Sequence, residues 1–116
     1  MDARERRLAQ NESIFREINE RVRDVARSHG ADTHVYSFFC ECANSDCTLQ
    51  VELTTAEYEQ VRADGARFFI APGHELPEVE RIVEKRDGWW LIEKEGDAAD
   101  YTRGLDPRDR TKLQEP

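Results

Sequence analysis

The stretch Phe38-Phe39-Cys40-Glu41-Cys42-Ala43-Asn44-Ser45-Asp46-Cys47 holds all three cysteines of this 116-residue chain. Three thiolates held this close together repel one another unless a cation neutralises them or two of them oxidise to a disulfide. His74 offers a fourth ligand, because the preceding Ala71-Pro72-Gly73 is typical of a tight turn that fixes an imidazole in place. The pattern predicts a tetrahedral Zn²⁺ site with the ligands Cys40, Cys42, Cys47 and His74.

Other side chains compete for the fourth position of this site. They are the imidazoles of His29 and His34 and the carboxylates of Asp46 and Glu75. His34 precedes Cys40 by roughly 20 Å of extended chain, so it reaches the cysteines only if the chain folds back. We favour His74. The alternative to a metal site is a set of three free thiols beside a histidine that only caps a turn.

Composition narrows the classes of function. The length is that of one domain, and the net charge of −8 argues against a nonspecific hold on nucleic acid. No apolar targeting region follows the first residues and no apolar run is long enough to cross a membrane, so we expect a cytoplasmic protein with no membrane partner. In a reducing cytosol, an odd and closely spaced set of cysteines indicates a metal or redox site rather than a disulfide framework.

The segment from residue 3 to 28 contains no glycine or proline and predicts a long amphipathic helix. Its apolar seam consists of Leu8, Phe15, Ile18, Val22 and Val25. Asn11 falls on the same seam, where a polar side chain can fix the register of a helix pair. We favour packing of the seam on the protein's own sheet and keep a homodimer through this helix as the alternative.

Residues 35–94 predict a small, mainly antiparallel sheet, because apolar and polar residues alternate in several short runs. Two strands bracket the cysteine loop as a hairpin, and a third strand at 67–71 ends just before His74. The Asp87-Gly88 pair predicts a two-residue turn between two further strands.

This turn predicts the register of the second hairpin. It sets Lys85 opposite Trp90 and Val83 opposite Ile92, which turns Val83, Trp90 and Ile92 toward the core. Trp89 then lies on the less buried face, where it is a candidate contact for a partner.

The predicted fold class is α+β, with a long N-terminal helix packed on a small, mainly antiparallel sheet and a zinc-stapled β-hairpin. Residues 1–96 form the single domain, with the helix at about 3–28 and the sheet at about 35–94. Residues 97–116 are predicted to form a weak helix and a polar, disordered tail.

Several motifs resemble a family of short, largely uncharacterised proteins of the actinobacterial type. They are the segment 11–22, the motif Phe39-Cys40-Glu41-Cys42-Ala43 followed by Cys47, and the motif Ala71-Pro72-Gly73-His74-Glu75. The likeness covers most of residues 11–94. It implies a bacterial cytosolic setting and a single unit of the cysteines and His74, and it implies no established activity.

Four protein ligands leave zinc no open position for water, so we expect a structural site and no enzyme. The favoured function is a zinc-ribbon-like regulatory or adaptor module that binds another protein, with predicted contacts on Phe15, Ile18, Val22 and Trp89. A zinc-linked redox or metal sensor is the second hypothesis, because accessible thiolates oxidise readily. A metal-dependent hydrolase with Glu41 or Glu75 as base is the third, and requires water in place of His74.

Overall fold

The computed structural model describes residues 1–28 and 34–108, which confirm the α+β class. The helices are α1 (Ala3–Arg27), α2 (Thr55–Arg62) and α3 (Gly96–Gly104). The strands are β1 (Val35–Phe39), β2 (Gln50–Thr54), β3 (Arg67–Ile70), β4 (Glu80–Arg86) and β5 (Trp89–Lys94). The predicted disordered tail lies, from residue 109 onward, outside the described residues. No helix in the described ranges has the length and apolar character needed to cross a membrane.

The helices begin where their first backbone N–H groups find side-chain acceptors. At the start of α1 the Asp2 carboxylate accepts the N–H of Glu5 at 2.7 Å. At the start of α2 the Thr54 hydroxyl accepts the N–H of Glu57, and the Glu57 carboxylate accepts the N–H of Thr54. This reciprocal capping box ends β2 and turns the chain directly into α2.

The strands form two antiparallel sheets rather than one. β1 pairs with β2, and β5 lies between β3 and β4. A backbone hydrogen bond of 3.0 Å, from the N–H of Glu41 to the carbonyl of Phe69, links the sheets where the chain leaves β1. The cysteine loop therefore lies beside the turn that follows β3.

The three-stranded sheet is covered on both faces. On one face the Phe69 ring centroid lies 5.9 Å from that of Tyr58 and 6.5 Å from that of Trp89. On the other face the guanidinium of Arg16, on α1, lies 4.6 Å from the centroid of Phe68. The prediction that Trp89 presents a partner surface is therefore wrong. Trp89 is 5% exposed, because β1, β2 and α2 cover the face on which it lies.

The β4–β5 hairpin keeps the predicted register only near its turn. Lys85 lies opposite Trp90 as expected, and its ammonium stands 4.4 Å from the indole centroid. A register shift at Val83 then places Ile82, not Val83, opposite Ile92. The predicted core position of Ile92 is confirmed, since its side chain is fully buried. A bulge of this kind adds one residue to one strand and cannot be inferred from the turn.

Helix α1 packs its polar face against the rest of the protein. Its buried residues are Ala9, Glu12, Ser13, Arg16, Asn19 and Ala26. The prediction that the apolar seam covers the sheet is wrong for Ile18 and Val25, which are 38% and 60% exposed. Phe15 and Val22 are partly buried.

The buried polar groups of α1 have partners distant in the chain. The ammonium of Lys94 lies 2.5 Å from a Glu12 oxygen and 2.8 Å from a Glu80 oxygen, and all three side chains are at most 1% exposed. Arg16 donates to the carbonyl oxygen of Thr102 at 2.8 Å. These ion pairs and hydrogen bonds offset part of the cost of burying the charged groups on the polar face of α1.

The chain beyond α3 packs on the domain as far as residue 108. Asp106 forms an ion pair with the buried guanidinium of Arg62. Arg108 donates to the two oxygens of Glu20 at 2.6 and 3.0 Å and also pairs with Glu59. Asp106 and Arg108, which fall in the predicted segment 97–116, therefore pack on the domain and join the network between α1 and α2.

Candidate metal centre

The structure brings the four predicted ligands together. One ligand atom from each of Cys40, Cys42, Cys47 and His74 lies within 4.8 Å of all the others. Cys40 and Cys42 are buried, whereas Cys47 and His74 are partly exposed. Sulfur and imidazole ligands arranged this way can hold a metal ion at the edge of the core.

Two sulfur–nitrogen distances in the cluster match the edges of a coordination tetrahedron. Nδ1 of His74 lies 3.6 Å from Sγ of Cys40 and 3.7 Å from Sγ of Cys47. Zinc bonds of about 2.3 Å to sulfur and about 2.0–2.1 Å to nitrogen give sulfur–nitrogen edges of about 3.6 Å. His74 therefore presents Nδ1 to the site.

Cys40 and Cys42 share one side of the chain because the segment after β1 remains extended. The N–H of Cys40 donates to the carbonyl of Leu49 across the hairpin at 3.0 Å. The N–H of Glu41 donates the opposite way, to Phe69 of β3. In extended backbone successive side chains alternate, so Glu41 lies on the face opposite to the two thiols.

A turn that starts at Asn44 returns Cys47 to the cluster. The carbonyl of Asn44 accepts the N–H of Cys47 at 3.0 Å, and its side-chain oxygen accepts the N–H of Asp46 at 3.0 Å. This Asx geometry is the turn chemistry that the Asn44-Ser45-Asp46 run predicts.

A second turn holds His74. The N–H of His74 donates to the carbonyl of Ala71 at 3.1 Å, and Gly73 has φ of +86°. Pro72 followed by a residue with positive φ is typical of a type II turn. The N–H of Ala71 donates to Sγ of Cys40 at 3.1 Å, so the turn that holds the imidazole also binds one of the sulfurs.

The three thiols titrate as one group. A hydrogen bond from Cys40 lowers the pKa of Cys42 to about 5, and His74 adds to the effect. The same bond, followed by burial, raises the pKa of Cys40, and burial raises the pKa of Cys47. A cation bound to all three sulfurs displaces the remaining protons.

Glu41 and Asn19 fasten the ligand segment to α1. The Asn19 amide donates to the carbonyl of Phe39 at 2.8 Å and to Glu41 at 3.0 Å, and its oxygen accepts the N–H of Phe39 at 2.8 Å. Both side chains are fully buried. Burial raises the pKa of Glu41 to about 7 against the opposing effects of Asn19, Arg62 and Arg16. A carboxyl group held this way does not face the sulfurs and is poorly placed to act as a base on them.

The competing ligands do not join the cluster. Within residues 1–28 and 34–108, the group able to hold a metal includes His74 and excludes His34, Asp46 and Glu75. His29 lies outside the described residues. Glu75 lines a cavity of about 260 Å³ together with Cys42 and His74, beside the ligand set.

Two amides that support the site were not predicted as site residues. Asn19 binds the ligand segment as described, and the Asn11 side chain donates to the carbonyl of Ala43 at 2.9 Å, inside the cysteine loop. Their separation of eight residues places them on one face of α1. The spacing of these two asparagines was the sequence feature that could have indicated their role, which is to contact the cysteine loop.

The assignment of a candidate metal centre rests on the geometry of the cluster and on the chemistry of its donor atoms. Three sulfurs and one imidazole nitrogen converge from three segments, and two of the four side chains are buried. The chain matches no protein-family model, no curated protein and no solved structure.

Proposed function

We propose that this protein is a small zinc-binding module in which Cys40, Cys42, Cys47 and His74 hold one structural Zn²⁺. The observation that carries this proposal is the approach of four ligand atoms to within 4.8 Å of one another. Three thiolates and an imidazole are the donor set that zinc prefers, whereas calcium and magnesium prefer oxygen.

The metal would connect three segments that come from the two sheets. Cys40 and Cys42 follow β1, Cys47 precedes β2, and His74 follows β3, so the ion would bridge the two sheets. Apart from the Glu41–Phe69 hydrogen bond and the bond from the Ala71 N–H to Sγ of Cys40, that bridge is made by side-chain packing. Because four protein ligands complete the tetrahedron, zinc here would stabilise the fold rather than activate water.

Native mass spectrometry tests the site. We expect one zinc per chain for the wild type, and loss of the metal together with folded structure for Cys42→Ser and His74→Ala. His34→Ala is the matched control, because His34 lies outside the cluster. Retention of zinc and fold by His74→Ala would reject the ligand set.

The biological role that we propose is that of a regulatory or adaptor module bound to another protein. The supporting observation is the exposure of apolar side chains on α1, with Ile14 at 56% and Val25 at 60%. Affinity capture with the wild type and with Ile18→Glu tests this role. If both proteins retain a partner equally, α1 is not the contact surface.

A zinc-linked redox sensor is the second candidate, and the partial exposure of Cys47 favours it. An oxidant such as peroxide reaches Cys47 before the buried Cys40 and Cys42. Two thiolates would then form a disulfide while peroxide is reduced to water, and zinc would leave. Reversible zinc release at low peroxide supports the sensor. Zinc that stays bound until the protein unfolds supports the purely structural role.

A further inference from the structure

The solvent-facing side of α1 carries an apolar stripe. Ile14, Ile18 and Val25 lie on it at spacings of four and seven residues, and they are 56%, 38% and 60% exposed. Helical residues at these spacings share one face. The opposite face of α1 is the polar one that the protein buries, so the stripe is distinct from the contacts that hold α1 in place.

Two grooves flank this stripe. The larger, of about 520 Å³, is lined mainly by Ile18, Val22, Val25 and Tyr36 between α1 and β1. The smaller, of about 250 Å³, is lined by Ile14 and Leu105 together with polar residues of α1. The larger groove lies toward the C-terminal half of the helix and the smaller one toward the N-terminal half.

The stripe is self-complementary when a second copy lies antiparallel to it. A two-fold axis between Ile18 and Arg21 sets Ile14 of one chain against the partner's Val25. Each Ile14 then enters the larger groove of the other copy, and each Val25 enters the smaller one. A C₂ contact requires a surface that matches itself in this way.

The charges on the stripe select the antiparallel arrangement. Glu17 and Arg21 lie four residues apart along it. In an antiparallel pair, Glu17 of each copy lies beside the partner's Arg21. A parallel pair would instead bring like charges together, which is unfavourable. We propose that this protein forms a homodimer through an antiparallel contact of two α1 helices, centred between Ile18 and Arg21.

This inference names the partner of the protein-binding surface in the proposed function, and it rests on that part of the proposal alone. Zinc content and molecular mass are separate measurements, so failure of one proposal is distinguishable from failure of the other. A zinc-loaded monomer would keep the metal site and overturn the dimer.

Sedimentation velocity of the zinc-loaded chain, over a wide range of concentrations, tests the dimer. We expect twice the chain mass of 13.5 kDa for the wild type. Ile18→Glu should be monomeric with unchanged zinc content and helicity. Leu49→Glu is the matched control, because Leu49 is 49% exposed but lines neither groove, and it should stay dimeric.

Charge reversal tests the orientation. Glu17→Arg and Arg21→Glu should each weaken the dimer about tenfold or more, since the two-fold axis repeats every contact. The double variant should recover the wild-type dissociation constant. A wild-type monomer at every concentration, a dimeric Ile18→Glu, or a double variant no tighter than the single ones would each overturn the proposal.

Discussion

The backbone N–H of Ala71 donates to Sγ of Cys40 at 3.1 Å. This bond connects the turn that holds His74 to a sulfur from a different segment of the site. Ala71 also accepts the N–H of His74 through its carbonyl group. Ala71 thus fixes two of the four ligands through its backbone alone. A hydrogen bond from an amide to a thiolate is charge-assisted, which favours the ionised sulfur that a metal requires.

The turn at Gly73 makes metal affinity sensitive to a single methyl group. A Cβ added at Gly73 would meet no atom within 4 Å, but the φ of +86° at this position disfavours any residue that has a Cβ. The strain costs about 1–2 kcal/mol, so zinc should bind about tenfold more weakly as the turn shifts His74. Competition against a chelator measures the change.

Gly104→Ala is the matched control for this variant. Gly104 also has open space around it, and its φ is not positive. Its zinc affinity should equal that of the wild type. Equal affinities for both variants would show that the turn does not set the position of His74.

Asn19 holds the ligand segment on α1, and its removal should destabilise the protein. Asn19→Ala leaves the N–H of Phe39 and the carboxyl group of Glu41 without their partner in a buried site. Leaving such groups unsatisfied costs about 1–3 kcal/mol each. Urea unfolding of the zinc-loaded protein should show a loss of about 2–4 kcal/mol.

Gln10→Ala is the control for Asn19→Ala. The Gln10 amide bonds to the Tyr101 hydroxyl at an exposed position of the same helix. Its loss should cost under about 0.5 kcal/mol, as is usual for surface changes. A loss for Asn19→Ala no larger than for Gln10→Ala would contradict the proposed anchoring.

The ammonium of Lys94 contacts two buried carboxyl groups, so Lys94→Met should be strongly destabilising. Glu12 and Glu80 would then face each other at full burial, where burial itself already raises the pKa of Glu12. Breaking a buried ion pair costs about 3–5 kcal/mol. Arg81→Met removes a half-exposed pair with Glu93 and should cost at most about 1 kcal/mol. Similar losses of unfolding free energy for the two variants would show that the buried triad contributes no more to stability than an exposed ion pair.

Glu20 makes stability depend on pH in the acid range. Burial acts to raise the pKa of Glu20, but hydrogen bonds from Arg108 and Tyr58 and the charge of Arg62 outweigh it and lower the pKa to about 2. A lowered folded-state pKa contributes stability above the unfolded value of about 4.5, and that stability is lost as the pH falls toward about 2.

Glu20→Gln should therefore be less stable than the wild type at neutral pH, with a difference that shrinks as the pH falls below about 4.5. Comparison of the two proteins cancels the release of zinc by acid, which affects both. Thermal unfolding at a series of pH values measures the difference. A difference that stays constant down to about pH 3 would exclude the charge of Glu20 as its cause.

The approach of Cys40, Cys42, Cys47 and His74 to one another was predictable because its geometry is local. Cys40 and Cys42 flank one residue of an extended chain, Asn44 starts a turn of known chemistry, and the Pro72-Gly73 pair dictates a tight turn before His74. Each feature depends on a few neighbouring residues.

The orientation of α1 was not predictable in the same way. The buried guanidinium of Arg16 donates to the carbonyl of Thr102, which is 86 residues away in the sequence. The residues near Arg16 in the sequence therefore do not indicate that it is buried. The apolar spacing of Ile18 and Val25 pointed to the opposite face. The prediction that Trp89 is exposed was wrong for a related reason, since the alternation of residues along a strand does not reveal that both faces of the sheet are covered.

The absorption spectrum of the protein loaded with Co²⁺ tests the ligand set most directly. Cobalt in a site of three thiolates and one imidazole should be tetrahedral, with intense visible bands and sulfur-to-metal charge-transfer bands that saturate at one ion per chain. His74→Ala and each cysteine variant should lose the tetrahedral visible bands and the charge-transfer bands together with the bound ion. A weak octahedral spectrum without sulfur bands would contradict the assignment of Cys40, Cys42, Cys47 and His74 as one metal centre.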